Sequence, residues 1–180
     1  MTATRIPVIK TPKVYVGGAF IRSESGRTFA VRDTDGNFVA NVPQCTRKDL
    51  RNAVEAAAKA GPKWAARTPY NRGQILYRLA EMLESRTDEM SAALRQFTGD
   101  AAESAEREVA LTVDRLVHYA GWADKYAQVV GSTNPVAGPY FTFSLPEPTG
   151  VVAVLAPQDS GLLGGVAYCF SRASGIPIFG

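Results

Sequence analysis

Chemistry could begin at very few places in this chain. The first is Ala156-Pro157-Gln158-Asp159-Ser160-Gly161. It follows Val151-Val-Ala-Val-Leu155, a nearly continuous apolar run that reads as a strand covered on both faces. It precedes Leu162, where a helix is expected to begin. In an α/β protein, ligands sit beyond the carboxyl end of a first parallel strand. The stretch therefore reads either as a cofactor-contacting turn or as an ordinary strand-to-helix turn with Asp159 or Ser160 as N-cap. It contains no Gly-x-Gly-x-x-Gly.

The remaining reactive side chains are sparse. Cys45 and Cys169 are the two cysteines and His118 is the one histidine. Cys169 lies between Tyr168 and Phe170, which suits a small buried hydrophobe. His118 falls mid-helix and reads as a packing or surface residue. Too few ligands are present for a zinc site, and no metal is expected.

Composition narrows the class. At 180 residues the chain is long enough for one domain with a real core. With 46% hydrophobic and 21% charged residues it reads as an ordinary soluble globular protein. The net charge is +3, with 20 basic residues interleaved among 17 acidic ones. That spread argues against a nucleic-acid partner, which would need a basic stripe. Residues 1–13 carry no apolar core of signal-peptide length, and no run approaches bilayer-spanning length. The expectation is a reduced, cytoplasmic protein with no membrane or nucleic-acid partner.

The elements that must position the turn come earlier. Residues 1–13, with Pro7 and Pro12, read as an arm. Three strand-like segments follow, around Gly17-Gly18 and Asp35-Gly36-Asn37, and predict a small antiparallel meander. Thr46 is expected to cap a first helix with Asp49 in its first turn. Leu50, Val54, Ala57 and Ala58 would form its buried face, and Gly61-Pro62 would end it. Trp64 would lie in a connector.

Thr68-Pro69 predicts the start of a second helix, buried through Ile75, Leu76, Leu79, Met82 and Leu83. Thr87 would cap a third helix carrying Met90, Leu94 and Phe97, stopped by Gly99. Asp100 with Glu103 resembles a capping box for a fourth. Its stripe would be Val109, Val113, Leu116, Ala120, Ala123 and Tyr126, and Gly131 would close it. Residues 132–139 read as a loop and Tyr140–Leu145 as a strand on a sheet edge, with Pro146 and Pro148 interrupting pairing.

Taken in order, several pieces resemble one family. They are Val16-Gly17-Gly18 with Phe20, and Trp64 ahead of Asn71-Arg72 and the Leu76, Leu79-Ala80, Leu83-Glu84, Arg86 helix. Phe97-Thr98-Gly99, Tyr119-Ala-Gly-Trp-Ala-Asp-Lys125, and Pro148-Thr-Gly-Val-Val152 with Ala156-Pro157 complete the series. Over roughly residues 14–165 the chain is similar to the N-terminal part of the NAD(P)-dependent aldehyde dehydrogenases.

The resemblance implies an α/β fold. Its parts would be the small meander, a four-helix layer, an oligomerisation strand, and the first strand and helix of an incomplete Rossmann-like sheet. The corresponding ranges are an arm at 1–13, the outer layer of the cofactor domain at 14–137, the oligomerisation strand at 138–149, and the cofactor sheet from 150 to 180. The implied activity is oxidation of a small aldehyde to a carboxylic acid with NAD or NADP.

Leu155, Ala156, Pro157 and Gln158 would contact the cofactor. Asp159 stands where the family has an asparagine that donates to the oxyanion, and an ionised aspartate has no proton to donate. The family's nucleophilic cysteine and general-base glutamate have no counterpart in these residues, and Cys45 and Cys169 do not sit in the nucleophile motif. After Leu163 the pattern departs from the family, and Pro177 spoils its next strand. The expectation is a fragment or truncated, frame-shifted member, inactive alone, whose partners are further copies of itself or full-length relatives. A different reading is a non-catalytic interaction module pairing through the 140–148 strand.

Overall fold

Both glycines of the Gly17-Gly18 turn have positive φ, +60° and +87°. A two-residue hairpin loop needs that conformation, and L side chains resist it. The turn joins β1 (Val14–Val16) to β2 (Ala19–Ile21), antiparallel, with Tyr15 opposite Phe20. A second hairpin pairs β3 (Thr28–Arg32) with β4 (Phe38–Pro43). Its loop is tied by Asp33, whose carboxylate accepts from the amides of Asp35 and Asn37 and from the Asn37 side chain. The expected meander is instead two separate hairpins, because no ladder joins β2 to β3.

The computed structural model describes residues 11–155 and 162–163. The chain divides into two compact units. Among the described residues, one comprises 11–60 with 96–99, and the other 61–95 with 100–155 and 162–163.

Helix α1 (Arg47–Ala65), which belongs to the first unit as far as Ala60, is turned differently from its apolar pattern. Asp49 is buried, whereas Leu50 is 65% exposed and Val54 44%. Ala57 and Ala58 are exposed too. The inner face is Asp49, Ala53 and Ala56, one position away from the expected stripe. The Asp49 carboxylate decides the rotation. Its Oδ2 accepts from the Thr46 amide at 2.7 Å and the Ser23 hydroxyl at 2.7 Å, and its Oδ1 from the Glu24 amide at 3.1 Å. Asp49 N donates back to Thr46 Oγ1, which completes a reciprocal cap. The helix also runs through Pro62 rather than ending at Gly61-Pro62, so Trp64 is helical. The Ala58 carbonyl that Pro62 leaves without its usual partner sits on an exposed turn, where water can serve it.

The second unit is built on a helix pair. Helix α2 (Pro69–Glu84) begins as expected, with the Thr68 hydroxyl accepting from Asn71 N and proline at the first position. Its buried residues are Gly73, Leu76 and Ala80, with Leu79 and Leu83 half-buried. Ile75 and Met82 are exposed, contrary to expectation. Helix α3 (Thr87–Thr98) includes Thr87 as a helical residue. The Thr87 hydroxyl donates to Glu84 O instead of capping. Helix α4 (Ala102–Trp122) has Ala101 rather than Asp100 as N-cap, with no side-chain bond from it.

The stripe on α4 is as expected at Val109, Leu116 and Ala123, which are buried, with Val113, Ala120 and Tyr126 half-buried. Leu76, Val109 and Leu116 are each 1% exposed or less. Each contributes roughly 1.5–3 kcal/mol of burial. The helices approach closely at Gly73, where an added Cβ would lie 2.8 Å from the Ala120 carbonyl oxygen. The chain then breaks after Trp122 into a short α5 (Tyr126–Val130) instead of one helix to Gly131.

Residues 132–139 are not all loop. β5 (Thr133–Asn134) pairs with β6 (Thr142–Phe143), the paired part of the expected Tyr140–Leu145 strand. Residues 151–155 are not a strand. A ladder needs a partner, and no described strand pairs with them, so Val151 and Val152 remain exposed.

Candidate functional site

The described part of the expected turn is its two flanks. On one side Leu155 is 97% exposed. On the other, Leu162 and Leu163 are helical and half-buried. Ala156, Pro157, Gln158 and Asp159 lie outside the described residues, as does Cys169.

The second flank is tied to α4. Glu108 Oε1 accepts the backbone N–H of Leu162 and that of Leu163, each at 3.0 Å. Glu108 sits beside fully buried Val109, and the fully buried Thr112 hydroxyl donates to the Glu108 carbonyl at 2.7 Å. The carboxylate therefore projects from a packed part of the helix. Sequence reasoning passed over Glu108. Its only signal was an acidic residue immediately before the apolar stripe, a position that is usually solvated.

The other candidates do not gather into a site. His118 is exposed and packs edge-on against Tyr119, with ring centroids 5.4 Å apart. Cys45 is an exposed free thiol. Among the described residues no group of three or more His, Cys, Asp or Glu could hold a metal. No helix among them is long and apolar enough to cross a membrane. A shallow groove of about 550 Å³ between α2 and α4 is lined by Tyr70, Tyr77, Arg78, Glu81 and Lys125 among others. Arg78 and Glu81 pair with each other at 2.8 Å.

The strongest electrostatic feature is Asp49. The Thr46 amide above all, then the Ser23 hydroxyl and the Glu24 amide, lower its carboxyl pKa from 3.8 to about 2 against an opposing effect of burial. Its donors are all protein groups, so its role is structural.

The aldehyde dehydrogenase family pattern matches residues 20–163. The chain belongs to the aldehyde dehydrogenase family. It is 34% identical over 160 residues to the mitochondrial benzaldehyde dehydrogenase of Antirrhinum majus, covering 86% of this chain and 29% of that protein. It is 30% identical over 163 residues to omega-crystallin of Enteroctopus dofleini, covering 88% and 32%. An aldehyde dehydrogenase of Bacillus cereus solved with NAD+ superposes with a TM-score of 0.85 at 26% identity. The match covers 93% of this chain and 34% of that one. The chain thus spans about a third of the length of the relatives it matches, and its fold is α/β as expected.

Proposed function

We propose that these residues serve as the N-terminal part of an NAD(P)-dependent oxidoreductase that converts a small aldehyde to a carboxylic acid in the cytoplasm. Behind an arm at 1–13, residues 14–137 act as the outer layer of the cofactor domain. Residues 138–149 act as an oligomerisation strand, and residues 150–180 open a Rossmann-like sheet. The family match over 20–163, in a chain a third as long as its relatives, carries this reading. The exposed apolar surface at Leu50, Val54, Val151, Val152 and Leu155 supports it, because a larger fold would cover such surface.

Leu155, Ala156, Pro157 and Gln158 would hold the cofactor. They offer apolar surface, backbone carbonyls and one side-chain amide, with no cation. That donor set fits a nicotinamide or a ribose better than a phosphate. When bound, NAD(P) supplies the hydride acceptor. Asp159 occupies the family's oxyanion-donor position. As a carboxylate it repels developing negative charge, so these residues alone do not oxidise aldehydes.

A thermal melt with and without NAD or NADP tests the cofactor site. Ligand at about a hundred times its dissociation constant adds about 2.7 kcal/mol of stability. No shift in a folded sample removes the site from the reading. Aldehyde-dependent NADH formation by the chain alone would refute its inactivity.

The second reading, an interaction module pairing through residues 140–148, draws on Tyr140, Phe141 and Leu145, which are 74%, 77% and 72% exposed. Co-elution with a full-length relative supports it, and separate elution at high concentration excludes it.

A further inference from the structure

We draw no further inference here: the strongest candidate, the shallow groove between α2 and α4 lined by Tyr70, Tyr77, Arg78, Glu81 and Lys125, carries none, because Arg78 is already paired with Glu81 and Lys125 with Asp124, and nothing in the structure shows what covers it.

Discussion

The Asp49 node and the α2–α4 seam are held by opposite means. At the node one buried carboxylate gathers donors from two separate segments, Ser23-Glu24 and Thr46. Polar geometry there outweighs hydrophobic pattern, since α1 turns Asp49 inward and leaves Leu50 and Val54 outside. At the seam the order is reversed. Leu76, Val109, Leu116 and Ala123 are packed where their periodicity puts them, although Ile75 and Met82 are not, and Gly73 lets the backbones touch. The first arrangement should respond to charge and the second to volume. The contrast also shows when a sequence pattern can be trusted. An apolar stripe sets a helix's rotation only if no buried polar group on a neighbouring position demands otherwise.

The sharpest way to break the comparison is volume loss at the seam. Leu76→Ala should cost about 2–5 kcal/mol in urea unfolding followed by helical circular dichroism. A loss no larger than that of an exposed-leucine control, Leu50→Ala, would mean that the seam does not carry the helical unit.

Gly73→Ala probes overpacking. The new methyl would meet the Ala120 carbonyl at 2.8 Å, a rigid neighbour, so destabilisation of roughly 1–3 kcal/mol is expected. Helix propensity alone would make the same change stabilising. The sign of the change therefore decides between close approach and propensity.

Acid sharpens the other half. The Asp49 pKa is about 2 in the folded chain against 3.8 ordinarily. A depressed folded pKa contributes stability that is complete above the ordinary value and is lost as pH falls through the folded value. Amide protection of Glu24 and Thr46 should therefore drop between about pH 4 and pH 2, while that of Val109 and Leu116 holds through the same window. Asp49→Asn should flatten the response. Parallel loss in both units, or an unchanged acid response in Asp49→Asn, would assign the effect to general charge.

The smallest effect is expected at Lys48. Its ammonium pairs with Glu24 at 2.6 Å, but the two side chains are 65% and 43% exposed, and water and salt screen such pairs. Lys48→Ala should leave the melting temperature unchanged within error. A clear drop would enlarge the polar node to include its surface.

Much of the chain was legible because its signals are local. Gly17-Gly18 and Asp35-Gly36-Asn37 dictate turns from their own backbone needs, each with glycine at positive φ. Thr68-Pro69 starts a helix through one side chain and one missing N–H. The Val109, Leu116, Ala123 stripe reads correctly because its main packed partner among the described residues, α2, sets its rotation. The family was legible from the order of such pieces. The turn expected after Leu155 lies outside the described residues. Glu108, which accepts the N–H groups of Leu162 and Leu163, carried no sequence signal, because an acidic residue at the edge of a stripe looks the same whether it faces water or two distant N–H groups.

The sequence by itself determined the hairpin turns, the helix starts at Thr46 and Thr68, and the apolar seam of α4, because each depends on residues a few positions apart. Only the tertiary structure decided that α1 runs through Pro62, that Asp49 rather than Leu50 faces inward, and that residues 151–155 form no strand. It alone brought Glu108 to Leu162 and Leu163. Those outcomes depend on which distant donor, acceptor or solvent reaches a given group, and that is a property of the folded chain.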